Sequence, residues 1–212
     1  MTGLEVDGPE TATDWVIFAH GAGAGKDHEF MADMAARIGK HCKVVRFNFP
    51  YMEKREQEGK KRPPDRAPKL LAHFESVIEH VDGLRPAGSR LWLAGKSMGG
   101  RMASHLTGHA SVSGGICLGF PFHPPGKPEK YKGAHLATVE RPLLIIQGAR
   151  DTFGREDEVM HYPLSPSVQV IVVPDGDHSF KPRKASGYTE SGNRQWAVDS
   201  LHRFIEQQGQ QG

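Results

Sequence analysis

The sequence predicts a doubly wound α/β fold with a mainly parallel sheet of about six or seven strands. Short apolar runs recur along the whole chain. Each is nearly continuous rather than alternating, and segments of helical period lie between them. Strands buried on both faces have that look, because helices cover each side of a parallel sheet. Strand–helix alternation over the full length completes the pattern.

The runs are Trp15–Ala19, Val44–Phe49, Leu91–Ala94, Ile116–Phe120, Leu143–Ile146 and Val168–Val173. After the first, Met31, Met34, Ala35 and Ile38 fall at i, i+3, i+4 and i+7, one face of a helix. Leu70, Phe74, Val77, Ile78 and Val81 mark a second helix. Ala197, Leu201, Phe204 and Ile205 mark a third, stopped by Gly209. Residues 51–68 are charged and hold Pro63, Pro64 and Pro68, while residues 121–133 hold four prolines. Neither has a period, so both are expected to be loops. Both follow strands, and loops at the carboxyl ends of strands border the ligand crevice of an open α/β sheet. A solvated basic loop is the alternative for the first.

The 212 residues suit one domain over 1–212, at a scale of ~150 residues per domain. With 37% hydrophobic and 25% charged residues, the composition is that of a globular chain with a full core. Twenty-seven Lys and Arg against 25 Asp and Glu leave a formal charge of +2, which gives no field for nucleic acid or an anionic membrane. Cys42 and Cys117 are too few for a disulfide framework or a four-thiolate zinc site. No apolar run approaches the ~20 residues of a membrane span, and Met1–Glu10 lacks the apolar core of a secretory signal. A reducing cytoplasm is the expected location.

The strongest local signal is Gly95-Lys96-Ser97-Met98-Gly99-Gly100, a G-x-S-x-G elbow. It lies between the strand Leu91–Ala94 and a helix read from Gly100 to Leu106. A sharp strand-to-helix turn lifts a serine hydroxyl clear of the sheet, and the flanking glycines leave room for it. A serine needs a base to act as a nucleophile. His178 follows the strand Val168–Val173, and Asp151 holds the equivalent place after Leu143–Ile146. Ser97, Asp151 and His178 thus emerge at one sheet edge in the chain order Ser, Asp, His. Asp175 and Asp177 compete with Asp151 and could salt-bridge His178, but neighbours that close in sequence rarely reach the far side of the ring.

The stretch His20-Gly21-Ala22-Gly23-Ala24-Gly25 follows the first strand. Acyl transfer needs two N–H groups aimed at a developing oxyanion, and Ala22 and Met98 are placed to supply them. The same stretch fails as a phosphate loop. His20 stands where Walker A requires glycine and Asp27 where it requires Ser or Thr, and Lys26 breaks the dinucleotide fingerprint.

With these pieces in this order, the chain resembles the α/β-hydrolase superfamily. Within it, the chain is similar to the dienelactone hydrolase-like group near the testis-expressed and NSL-complex-subunit hydrolase-like proteins. The further cues are Phe47-Asn48-Phe49-Pro50-Tyr51, Arg62-Pro63-Pro64-Asp65-Arg66, Gly99-Gly100-Arg101 and Pro121-Phe122-His123-Pro124-Pro125-Gly126. Dienelactone hydrolases themselves use a cysteine, and this elbow holds Ser97.

The resemblance implies a minimal, lid-less α/β-hydrolase fold. Its expected chemistry is hydrolysis of a carboxylic ester or related acyl bond of a small substrate, with no metal and no cofactor. Ser97 attacks, His178 carries the proton and Asp151 orients it. An acyltransferase, thioesterase or peptidase on the same residues, and a non-catalytic interaction module, are the alternatives. Lys96, Arg101, Arg62, Tyr51 and His123 are candidate substrate contacts. The basic ones among them would favour an anionic substrate if both loops rim the site.

Overall fold

A computed structural model describes residues 3–210. Met1 and Thr2, at the start of the expected domain and of the N-terminal stretch read above, and Gln211 and Gly212 at its end, lie outside the described residues. The chain forms β1 (Glu5–Asp7), β2 (Asp14–Ala19), α1 (Glu29–Ile38), β3 (Lys43–Phe47), α2 (Pro50–Glu58), α3 (Ala67–Asp82), β4 (Arg90–Lys96) and α4 (Met98–His105). It continues with β5 (Gly114–Leu118), β6 (Leu143–Gly148), α5 (Glu156–Val159), β7 (Val168–Val173) and α6 (Glu190–Gly209).

The seven strands form one sheet in the order β1-β3-β2-β4-β5-β6-β7. All neighbours are parallel except β1, which runs antiparallel to β3. Alternate residues of each central strand enter opposite cores. Val16, Phe18, Trp92, Ala94, Ile116 and Leu118 pack against α1 and α6. Ile17, Ala19, Val45, Leu91 and Leu93 pack against α3 and α4. Burial on both faces is the reason these strands read as unbroken apolar runs.

Besides shifts of one or two residues at element ends, as in β5 and α4, and the additional short helix α5, four differences from the sequence expectation stand out. β1 is an additional strand: three residues long, two of them acidic, with Val6 half exposed. Edge strands are often short and charged, which blunts pairing with other chains and also erases the apolar signal. The first expected loop contains helix α2. Only Tyr51 and Met52 of that helix are buried, so it has almost no apolar stripe. Its ends are set by local chemistry instead, with Pro50 in the first turn and Gly59 in the left-handed conformation just beyond. β3 stops at Phe47 because the Phe49 N–H turns away to donate to His20 Nε2 at 3.0 Å. Gly209 is the last residue of α6 rather than the residue after it.

Between β5 and β6 the only helical turn is a 3₁₀ segment at Ala134–Thr138, and among the described residues no lid covers the carboxyl edge of the sheet. Among the described residues, no helix is long and apolar enough to cross a membrane.

Candidate active site

Ser97 follows the last residue of β4 and caps α4 with φ 51° and ψ −115°. Such a conformation costs a non-glycine residue of order 1–3 kcal/mol and persists only when its surroundings impose it. Here the strand and helix are driven together. A Cβ on Gly99 would lie 2.5 Å from the carbonyl oxygens of Ala19 and His20, and one on Gly95 would overlap the backbone of Gly99 and Gly100. The glycines permit the approach that strains the serine. The Ser97 N–H is held by Leu118 O at 3.0 Å.

His178 reaches the serine from the turn after β7. Its Nε2 lies 2.8 Å from Ser97 Oγ, and its Nδ1 lies 2.7 Å from Asp151 Oδ2. With Nδ1 protonated toward the carboxylate, the Nε2 lone pair faces the hydroxyl. Phe153 stacks on the imidazole with centroids 4.2 Å apart. Burial lowers the His178 pKa, Asp151 opposes that, and Lys96 lowers it further. The ring is therefore neutral and able to accept a proton at physiological pH.

Asp151 is fully buried. Oδ1 accepts from the Phe153 N–H at 2.8 Å, and Oδ2 accepts from Gln147 Nε2 at 3.0 Å. Gln147 Nε2 also faces the carbonyls of Phe120 and Gly154, and its Oε1 accepts from the Phe120 N–H. This buried amide has no counterpart among the residues singled out from sequence. Its signal was available, since a glutamine is unusual in a strand as apolar as Leu-Leu-Ile-Ile. The competing acids are engaged elsewhere. Asp175 pairs with Arg183 and Arg150, while Asp177 accepts from the Ser179 and Lys181 N–H groups and shapes the His178 turn.

The loop after β2 lies opposite. His20 is fully buried, donating from Nδ1 to Gly21 O at 2.6 Å and accepting at Nε2 from the Phe49 N–H. Burial drives its pKa down to about 4. The Tyr51 hydroxyl donates to Ala22 O at 2.8 Å, with Gly21 O at 3.2 Å. Tyr51 thus braces the loop rather than lining the cavity. With the Ala22 carbonyl held from behind, its N–H and that of Met98 have no acceptor among the described residues. An oxyanion is the kind of group such free donors suit.

A cavity of about 300 Å³ lies over Ser97 and His178, walled by Ala22, Phe30, Met31 and Phe153. Among the basic and polar substrate contacts expected from sequence, Lys96 alone lines it. Arg62 is exposed and paired with Glu58. Arg101, on α4, does not line the cavity, and its charge helps lower the pKa values of His105 and His135 after burial. His123 is buried between Pro124 O and Glu158. The His123 N–H donates to the Phe153 carbonyl, so that loop supports the cavity wall from behind, and neither Arg62 nor His123 lines the cavity.

Comparison with solved structures places the fold among known ones. An alpha-beta serine hydrolase homologue from Coxiella burnetii superposes with a TM-score of 0.73 at 21% identity, covering 93% of this chain and 90% of its own. A serine hydrolase without a lid from Xanthomonas campestris gives 0.72 at 21% identity, with 95% and 88% covered. An esterase from Pyrococcus furiosus gives 0.69 at 17% identity, with 94% and 84% covered. At such identities the likeness is one of fold. The family described as "Alpha/beta hydrolase domain" matches residues 12–206 and so includes the elbow, Asp151 and His178. That description sits at the level of the superfamily, coarser than the dienelactone hydrolase-like group the sequence resembles. The chain belongs to the alpha/beta hydrolase domain family.

Proposed function

We propose that the chain is a serine hydrolase that cleaves small carboxylic esters through an acyl-enzyme. The observation that carries this is the continuous chain from Ser97 Oγ through His178 to Asp151, with links of 2.8 and 2.7 Å. His178 Nε2 takes the hydroxyl proton as Ser97 Oγ bonds to the carbonyl carbon, and the carbonyl electrons move onto oxygen. The Ala22 and Met98 N–H groups stabilise that oxyanion. The imidazolium then protonates the leaving alcohol, and the carbonyl re-forms as the acyl-enzyme. Water, activated by the same imidazole, returns the serine and releases the acid. Asp151 fixes the ring tautomer and balances its transient charge.

The cavity walls favour an uncharged acyl group. Phe30, Met31 and Phe153 present apolar surface, and the one ammonium on the wall, Lys96, already donates to a backbone carbonyl. Of the three relatives above, one is described as an esterase and two as serine hydrolases or homologues of them, which agrees with an acyl substrate.

The test is turnover of a panel of p-nitrophenyl esters, together with fluorophosphonate labelling. Wild type is expected to hydrolyse short esters and to be labelled at Ser97. Ser97→Ala is expected to lose both while keeping its melting temperature, because the hydroxyl plays no part in packing. Turnover within tenfold of wild type in Ser97→Ala would remove the serine from the reaction. Labelling without release of acid, but with transfer to an added alcohol or amine, would reassign the chemistry to an acyltransferase.

A further inference from the structure

We infer that Lys96 is a positioning residue. Its buried ammonium tethers the backbone carbonyl of His178 and, as a fixed positive charge beside the imidazole, opposes its protonation. This rests on the proposed role of His178 as the base.

Lys96 ends β4, immediately before Ser97, and is buried. Its Nζ donates to His178 O and lies 5.4 Å from the centre of the Phe30 ring. The hydrogen-bond partner is thus a carbonyl and not a carboxylate. An ammonium removed from water is costly unless something requires it, and an apolar side chain would fill this space more cheaply. The carbonyl it holds lies in the irregular turn between β7 and α6, where no ladder fixes the backbone. The tether joins that turn to the strand that delivers the nucleophile. Both ends of the Ser97–His178 hydrogen bond are then anchored to the same strand terminus.

The charges around the imidazole are few. Asp151 touches it, Asp177 precedes it in its own turn, and Lys96 approaches from β4. His28 lines the same cavity, and Arg194 lies on the Phe30 ring at 5.2 Å. The two carboxylates favour the imidazolium and Lys96 disfavours it. Burial lowers the Lys96 pKa to about 8 against the pull of Asp151 and Asp177, so the ammonium stays mostly protonated at neutral pH. Removing that charge leaves burial alone to oppose the carboxylates, so the His178 pKa is expected to rise. The base would then be lost at a higher pH than in the wild type.

Three substitutions separate tether from charge. Lys96→Gln keeps a donor without charge, Lys96→Met removes both, and Lys96→Arg keeps both. The readouts are the His178 imidazole titration by NMR, which needs no turnover, and the pH profile of kcat/KM for p-nitrophenyl acetate. In Gln and Met the NMR midpoint and the acid limb are expected to move to higher pH, and in Arg to return toward wild type. Plateau kcat is expected to fall roughly 10–100-fold in Met with little change in KM, and less in Gln, since a loosened base misplaces the reacting atoms. Should Met fail to fold, Gln and Arg still decide the electrostatic part. An unchanged His178 midpoint in Gln overturns the inference, and so does an Arg variant that behaves like Gln. Activity surviving in Ser97→Ala would instead overturn the hydrolase reading, leaving the NMR result to stand or fall by itself.

Discussion

Gln147 Nε2 donates at 3.0 Å to Asp151 Oδ2, the carboxylate oxygen that also faces His178 Nδ1. The amide sits in β6 and ties two loops together, the one after β5 through Phe120 and the one after β6 through Asp151 and Gly154. Gln147→Leu would leave the Phe120 N–H and at least one carbonyl buried without a partner. The expected cost is about 2–3 kcal/mol, from the penalty of orphaned buried polar groups. Urea unfolding should show a lower midpoint with an unchanged slope. Esterase kcat should fall as well, because Asp151 loses a support that fixes its orientation toward His178. A wild-type midpoint in this variant would mean that water replaces the amide at little cost.

Asp151 should be the only acid of the three candidates whose neutralisation removes activity. Asp151→Asn is expected to lower kcat by roughly 10⁴, the scale seen when a serine hydrolase's acid is replaced by its amide and the wrong imidazole tautomer results. Asp175→Asn breaks pairs with Arg183 and Arg150, and Asp177→Asn weakens the caps on Ser179 and Lys181. Both should stay within about tenfold of wild type, since neither touches the ring. Single-turnover kinetics on the three variants checks the ranking.

Stability should fall with acid through His20. Its folded pKa is about 4 against an unfolded value of 6.5, because burial disfavours the imidazolium. The unfolded chain therefore binds more protons in that window, and stability is lost as pH falls from 6.5 toward 4. The loss assigned to this one group is about 3 kcal/mol over the window. His20→Gln has nothing to titrate, so its unfolding free energy should be flatter than wild type between those pH values. Parallel curves for the two proteins would place the acid sensitivity elsewhere, with His135 the next group to test, since it too is pushed down to about 4.

The parts legible in the sequence were those fixed by burial and by chain order. Continuous apolar runs gave the central strands because both faces of each are covered. Ser97, Asp151 and His178 could be placed at one edge because each follows a parallel strand, and the structure brings their side chains within hydrogen-bond distance. The parts that were not legible depend on contacts between elements far apart in the chain. β1 and α2 have too few buried residues to impress a period on the sequence. Arg62 is a local exception: it pairs with Glu58 only four residues away, a spacing already present in the sequence. Lys96 read as a substrate-binding cation, yet its ammonium meets the carbonyl of His178, 82 residues away.

The same placement of cations bears on substrate choice. Convergence of the basic loops on Ser97 would favour an ester carrying a carboxylate. In the structure, Lys96 alone among those candidate cations lines the cavity, and the rest of its wall is largely apolar. Short neutral esters should therefore be preferred. The cavity holds about 300 Å³, and only the 3₁₀ turn at Ala134–Thr138 lies between β5 and β6, which is too little to shelter a long chain. Rates should peak at acetyl to butanoyl esters and fall for octanoyl and longer. An ester with a free carboxylate should show no advantage over its methyl-capped analogue at roughly 10 mM salt, where the Debye length is ~30 Å, and the ratio should hold at 1 M, where it is ~3 Å. A carboxylate preference that salt abolishes would bring the surface cations back into the site, and a peak at dodecanoyl would require a cover that the chain between β5 and β6 does not provide.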